Sequence, residues 1–196
     1  MKIAVFMGGT SSEKEISLRS GEAVLESLQR QGYDAYGVVL DENNQVTAFL
    51  ENDYDLAYLV LHGGNGENGK IQAVLDILGK KYTGSGVLAS ALTMDKNKTK
   101  QIAENIGIRV PKSYRDLDSI ERFPVIIKPV DEGSSKGLFL CNNKEEAGEA
   151  LKKLRKPIIE DYIVGEELTV GVLNGKALGV LKIIPQADVL YDYDSK

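Results

Sequence analysis

Three groups of residues in this 196-residue sequence are spaced as chemistry would require. The first is Lys128-Pro129 followed by Glu132-Gly133-Ser134-Ser135-Lys136-Gly137. An apolar β-branched run ends in the lysine, and Pro129 then stops the strand because it has no N–H to offer a ladder. The loop can aim backbone N–H groups, two hydroxyls and two ammonium groups at one point. That suits a polyphosphate, which is acceptor-rich and strongly negative. The same residues would also make a hydrated turn with a stray lysine. The second group is Gly8-Gly9-Thr10-Ser11-Ser12-Glu13, a glycine turn with a carboxylate directly after an apolar strand. The third is His62, the sole histidine, heading the glycine-rich stretch 62–69.

Periodicity gives the elements that must carry these groups. Residues 2–7 are an unbroken apolar run and predict a buried strand. Helical spacing covers 14–31, with Ile16, Ala23, Val24 and Leu28 on the expected apolar face and Gly32 as stop. Strands are predicted at 33–40 and 54–61, with a turn at 41–44. A helix at 70–78 and a single helix at 87–105 complete the first half. Continuous apolar strands separated by helix imply a parallel α/β sheet with both faces covered. Glu13 and His62 then fall at the C-terminal edge of that sheet, where ligands of α/β folds bind. The texture changes near Asp95, which divides the chain into domains 1–94 and 95–196. The second half predicts strands at 124–129, 137–142 and 157–163, with a helix at 144–154. Strands 167–173 and 177–184 flank Asn174-Gly175, a strong hairpin signal. This half is an α+β unit with an antiparallel sheet.

Bulk properties exclude several classes. The net charge of −5 argues against nonspecific nucleic-acid binding, which needs a basic face. One cysteine and one histidine leave no disulfide and no Cys/His metal cluster. No stretch approaches membrane-spanning length and the opening residues lack a signal-peptide core, so a cytoplasmic location is expected. Two motifs are decoys. Gly64 to Lys70 nearly spells a P-loop, but Ile71 stands where a hydroxyl should reach magnesium. Gly84-Ser85-Gly86-Val87-Leu88-Ala89 matches a dinucleotide fingerprint, but residues 79–83 make a poor buried strand and the acid about twenty positions on lies inside a helix.

Taken in order, the motifs resemble the D-alanine–D-alanine ligases of the ATP-grasp superfamily. The matching stretches are Gly8 to Glu13, His62 to Gly69, Tyr82-Thr83-Gly84-Ser85-Gly86, Met94-Asp95-Lys96 and Lys128-Pro129 with Glu132 to Gly137. Glu160 with Glu167, and the terminal Tyr191-Asp192-Tyr193-Asp194-Ser195-Lys196, complete the set. The resemblance implies a Rossmann-like pre-ATP-grasp domain followed by the small α+β subdomain of an ATP-grasp fold. It implies ATP-dependent ligation of two D-alanines through an acyl phosphate, for peptidoglycan synthesis. The partners would be D-alanine and ATP with magnesium, and the complete protein would be a homodimer.

The resemblance also distributes roles. Glu13 would hold the ammonium of the first D-alanine, where a purely structural reading would make it an exposed helix N-terminal acid favoured by the dipole. His62 would lie beside the first substrate and the acyl phosphate. Asn68 stands where the family often has Asp; the amide removes a charge and keeps an acceptor. Lys96 and Lys128 would cap the ATP phosphates, and 132–137 would close over them as a lid that excludes water. Ser134 would lie near the substrates in a network with Glu13, and Ser135 beside a phosphate oxygen. Glu160, Asp161, Tyr162 and Ile163 would form the adenine-binding linker, and Glu167 would accept from the ribose hydroxyls. Lys196 would contact the transferring phosphoryl group. Tyr191 and Tyr193 read as half-buried aromatics, and Glu166 as part of a solvated turn.

The family continues past this point with its metal ligands, an oxyanion-stabilising arginine and the grip on the second substrate. The chain is therefore expected to be a fragment that binds ATP weakly and does not ligate alone. A noncatalytic nucleotide-binding module, or an ATP-grasp ligase for other substrates, is the alternative.

Overall fold

The computed structural model describes residues 1–184. The chain divides into two compact units, Met1–Ile102 and Ala103–Lys196.

The first unit is built on a four-stranded parallel sheet. Strands β1 (Lys2–Gly8), β2 (Asp34–Leu40), β3 (Leu56–Leu59) and β4 (Lys81–Tyr82) lie in the order β2-β1-β3-β4. Helix α1 (Lys14–Arg30) covers one face. The opposite face packs α2 (Thr47–Glu51) and, after the short helix α3 (Gly64–Glu67), α4 (Lys70–Ile77). β1 is central and sealed on both faces, which is why its sequence does not alternate. Phe6 packs against Phe49 (ring centroids 4.3 Å apart) and edge-on against Tyr54 (5.2 Å). Burying a side chain of that size stabilises by about 1.5–3 kcal/mol.

Three details depart from the spacing. The buried face of α1 is Ser17 and Gly21, while Ile16 and Ala23 are exposed. A Cβ on Gly21 would lie 2.5 Å from Met7 Cβ, so α1 seats too close to β1 for anything larger. The single helix expected over 87–105 is two, α5 (Val87–Met94) and α6 (Lys96–Asn105). Asp95 is extended between them and its carboxylate accepts the Lys98 N–H at 3.1 Å. It caps α6, the placement that Asp favours over a helix interior. Helices α2 and α3, only one turn each, leave too short a pattern to read.

The second unit holds an antiparallel sheet of β5 (Ser113–Tyr114), β6 (Val125–Pro129), β7 (Phe139–Cys141) and β8 (Pro157–Asp161), ordered β5-β8-β6-β7. Helix α7 (Lys144–Lys153) lays Ala147 and Ala150 on Val125, Ile127, Cys141 and Ile159. Asn143 caps it, accepting the Glu146 N–H at 2.9 Å. A separate hairpin pairs β9 (Glu167–Leu173) with β10 (Lys176–Ile183). Asn174 and Gly175 both take positive φ (49° and 75°), the turn conformation that suits a two-residue hairpin loop. Leu168, Val170, Val172 and Val180 are all exposed on it.

Candidate active site

In the first unit the chain leaves β1 through Gly8 and Gly9, at φ +86° and +91°. A Cβ on Gly8 would meet the Leu40 carbonyl oxygen at 2.8 Å. The Gly9 N–H donates to that same oxygen at 2.8 Å. This turn delivers Glu13 to the start of α1, where it is buried at 8% exposure. It is thus not the exposed acid of the structural reading. Its carboxylate lies against Gly63, where a Cβ would fall 2.6 Å from Oε2.

Ser11 joins the two walls of the site. Its hydroxyl donates to the His62 carbonyl and accepts the Glu13 N–H at 3.1 Å. On the other side of Gly63, Glu67 accepts the Gly63 N–H at 2.7 Å. Asn68 Oδ1 accepts the Lys70 N–H at 3.2 Å, so the amide does keep its acceptor in use. His62 lines a small cleft with Gly8, Gly9, Gln45 and Asn65, and Asn65 donates to Gln45 Oε1 at 2.7 Å. His62 Nε2 is buried with no hydrogen-bond partner among the described residues. A buried polar atom of that kind calls for a partner. A buried carboxylate, glycine backbone and an imidazole nitrogen at one sheet edge are what a small zwitterion needs: an anion for its ammonium and a polar atom for its other end.

The second unit gathers a different set. Lys128 Nζ lies 2.6 Å from Glu160 Oε2, with the side chains 27% and 4% exposed. Asp161, one residue on, is turned inward. The Tyr114 hydroxyl donates to it at 2.6 Å and the Arg122 guanidinium pairs with its other oxygen. Those two bonds hold its carboxyl below the usual range, Arg122 more than Tyr114, and the Tyr114 phenol is pushed up in turn. The Asp161 N–H donates to Lys112 O at 2.9 Å and the Tyr162 N–H to Pro124 O at 3.3 Å. Tyr162 is half-buried and Ile163 is exposed. Glu167 opens β9 and is exposed.

The loop after β6 holds Ser134 and Ser135 at φ +51° and +54°. Two consecutive non-glycine residues in the left-handed region are uncommon, and such strain clusters at ligand clamps. Lys136 N–H to Gly133 O (3.1 Å) and Leu138 N–H to Ser135 O (3.2 Å) hold the turns. Gly137, at φ +68°, closes the loop against Pro129 and Leu154. Lys96 belongs to the first unit, as the half-buried first residue of α6. Lys196, Tyr191 and Tyr193 lie outside the described residues. No three His, Cys, Asp or Glu side chains among the described residues converge as metal ligands.

Comparison with known proteins decides the family. The model of the D-Ala-D-Ala ligase N-terminus matches residues 2–50 and 44–85, and that of the C-terminus matches 81–196. A D-alanine–D-alanine ligase of Fusobacterium nucleatum is 88% identical over 196 residues, 100% of this chain and 68% of the relative. The chain belongs to the D-alanine–D-alanine ligase family. A solved D-alanine–D-alanine ligase of Bacillus anthracis superimposes with a TM-score of 0.87 at 34% identity, over 100% of this chain and 68% of that one. The same ligase complexed with ATP gives 0.84 at 33%, over 97% and 68%. The parallel sheet with its further antiparallel sheets thus has the fold of these ATP-grasp ligases over the 68% of the solved chain that it covers.

Several residues that bond to these candidate groups, in one unit or the other, carry no role in the motif reading. Glu67 and Asn65 sit inside a quoted motif, and Ser11 inside another. Arg122 and Tyr114 lie in unremarkable stretches, and nothing local points to Asp161 as their partner. Ser17 and Gly21, small residues four apart on one helix, do carry a signal of close approach.

Proposed function

We propose that this chain supplies the first-substrate site and much of the nucleotide site of an ATP-dependent ligase that joins two D-alanines for peptidoglycan synthesis. The observation that carries the reading is the buried Glu13 carboxylate against Gly63, tied through Ser11 to His62. The ammonium of the first D-alanine sits on Glu13, and its carboxylate points toward His62 Nε2. That carboxylate attacks the γ-phosphorus of ATP, the bond to the β-phosphate oxygen breaks, and ADP leaves. The amine of the second D-alanine then attacks the acyl phosphate carbon. The tetrahedral intermediate expels phosphate, the amine loses a proton, and the peptide bond remains.

Phosphoryl transfer is a matter of positioning and charge, so cations must surround the moving group. The family resemblance offers Lys96, Lys128 and Lys196 as these cations, Ser135 for a phosphate oxygen and Ser134 for the substrates. Glu160 to Ile163 line the adenine. Asp161 has its side chain taken by Tyr114 and Arg122 and its N–H by Lys112 O, so it can serve only through its carbonyl. Glu167 takes the ribose hydroxyls. Magnesium accompanies the nucleotide. Dependence on ATP fits a cytoplasmic enzyme, and we expect a homodimer.

The test is an ADP-release assay with D-alanine on the full-length enzyme and its Glu13→Gln variant. Losing the charged partner of a buried ammonium weakens binding by about 1.5–3 kcal/mol, or roughly tenfold to a hundredfold. The KM for the first D-alanine should rise by that factor and the KM for ATP should not. Unchanged D-alanine affinity would remove Glu13 from the site.

A further inference from the structure

Ser17 is fully buried, and the chemistry above leaves it unused. β1 and β3 pair from Ile3↔Leu56 to Phe6↔Leu59, and the next bond is the Val60 N–H to Phe6 O at 2.9 Å. Beyond it β1 keeps only its other neighbour, β2: Gly8 pairs with Leu40, and the Gly9 N–H bonds Leu40 O. The two walls of the site part at this point. The Ser17 hydroxyl spans the gap, accepting the Gly8 N–H at 2.8 Å and donating to Val60 O at 2.6 Å. A hydroxyl is a small group that can do both at once.

The two walls lead to the two ends of the site. Gly8 runs on to Glu13, and Val60 is two residues from His62. The Ser17 N–H also bonds the Glu13 carbonyl at 3.0 Å. Nearer the mouth, Ser11 repeats the bridge from Glu13 N–H to His62 O. We infer that Ser17 is a positioning residue that sets the spacing between the Glu13 wall and the His62 wall, and so the fit of the first D-alanine. The inference rests on the reading of Glu13 and His62 as that substrate's site. Without the hydroxyl, a buried donor and a buried acceptor face each other unpaired. The walls then close on each other or admit water, and either change moves the carboxylate relative to the imidazole.

The experiment uses the full-length enzyme with Ser17→Ala, Ser17→Cys, Glu13→Gln and the Ser17→Ala/Glu13→Gln double variant. Michaelis constants for the first D-alanine and for ATP are measured well below each variant's melting temperature. Ser17→Ala should raise the first D-alanine KM about tenfold and leave the ATP KM within about twofold, as a lost buried hydrogen bond acting on one site would. Ser17→Cys keeps a donor and an acceptor, though on a somewhat larger atom with weaker bonds, and should fall between. The double variant should be no worse than Glu13→Gln alone, because residues acting through one another are not additive. A silent Ser17→Ala, an equal rise in both constants, or effects that multiply would overturn the inference. If Glu13→Gln itself leaves D-alanine binding intact, the site reading fails and Ser17 with it. A Glu13→Gln effect beside a silent Ser17→Ala overturns Ser17 alone. If Ser17→Ala does not fold, Ser17→Cys decides by the same selective rise or its absence.

Discussion

Lys128 and Glu160 pair diagonally across β6 and β8, their charged atoms 2.6 Å apart. Ile126 faces Glu160 in the ladder, so Lys128, two residues on, shares its face of the sheet. The pair ties Lys128, near the end of β6, to the close of β8 beside Asp161. Glu160→Gln removes the charge and keeps the shape. The half-desolvated Lys128 then loses its counter-ion, and the second unit should lose about 1–3 kcal/mol in urea unfolding. Stability equal to that of the parent would mean water already screens the pair.

Gly63 offers a sharper change. Alanine there would adopt φ +65° and place its Cβ 2.6 Å from Glu13 Oε2. With ψ at 175° this is an essentially glycine-only backbone conformation, which alone costs about 1–3 kcal/mol. The carboxylate must also swing away. Gly63→Ala should therefore raise the first D-alanine KM about tenfold or more in steady-state assays run well below its melting temperature, and should spare the ATP KM.

Asp161 gives the second unit an acid dependence. Its carboxyl is held low by Arg122 and Tyr114, so the folded state favours the ionised form. That stability is fully present above the ordinary aspartate range near about 4 and is lost as pH falls through the lower folded value. Thermal melts between about pH 5 and pH 2 should show a steeper decline for the parent than for Asp161→Asn. Identical slopes would sink the assignment.

Gly21 tests packing without chemistry. Alanine gains up to about 1 kcal/mol in helix propensity over glycine. Its Cβ would nonetheless meet Met7 Cβ at 2.5 Å, the root of a side chain fixed on the central strand. Overpacking of this kind costs about 1–3 kcal/mol, so Gly21→Ala should melt lower. A higher melting temperature would show that α1 can shift.

What was legible in the sequence was whatever a local pattern carries. β1 announced itself by an unbroken apolar run, the Asn174-Gly175 hairpin by its turn residues, and the Gly8 to Glu13 and His62 placements by following strands. What was not legible depends on distance in the chain. Ile16 looked buried by period, yet α1 turns Ser17 and Gly21 inward because close seating on Met7 outweighs the burial of one isoleucine. Asp95 stood inside an apparent helix, and its capping bond splits it. The partners of Asp161 come from 47 and 39 residues away, and no spacing rule reaches so far.

The apolar hairpin has a consequence for handling. Leu168, Val170, Val172 and Val180 on a two-stranded ribbon form the kind of greasy, strand-shaped surface that chaperones and proteases take as a sign of unfinished folding. Among the described residues so little packs on this ribbon that its backbone amides should exchange with water far sooner than those of β1 or β6.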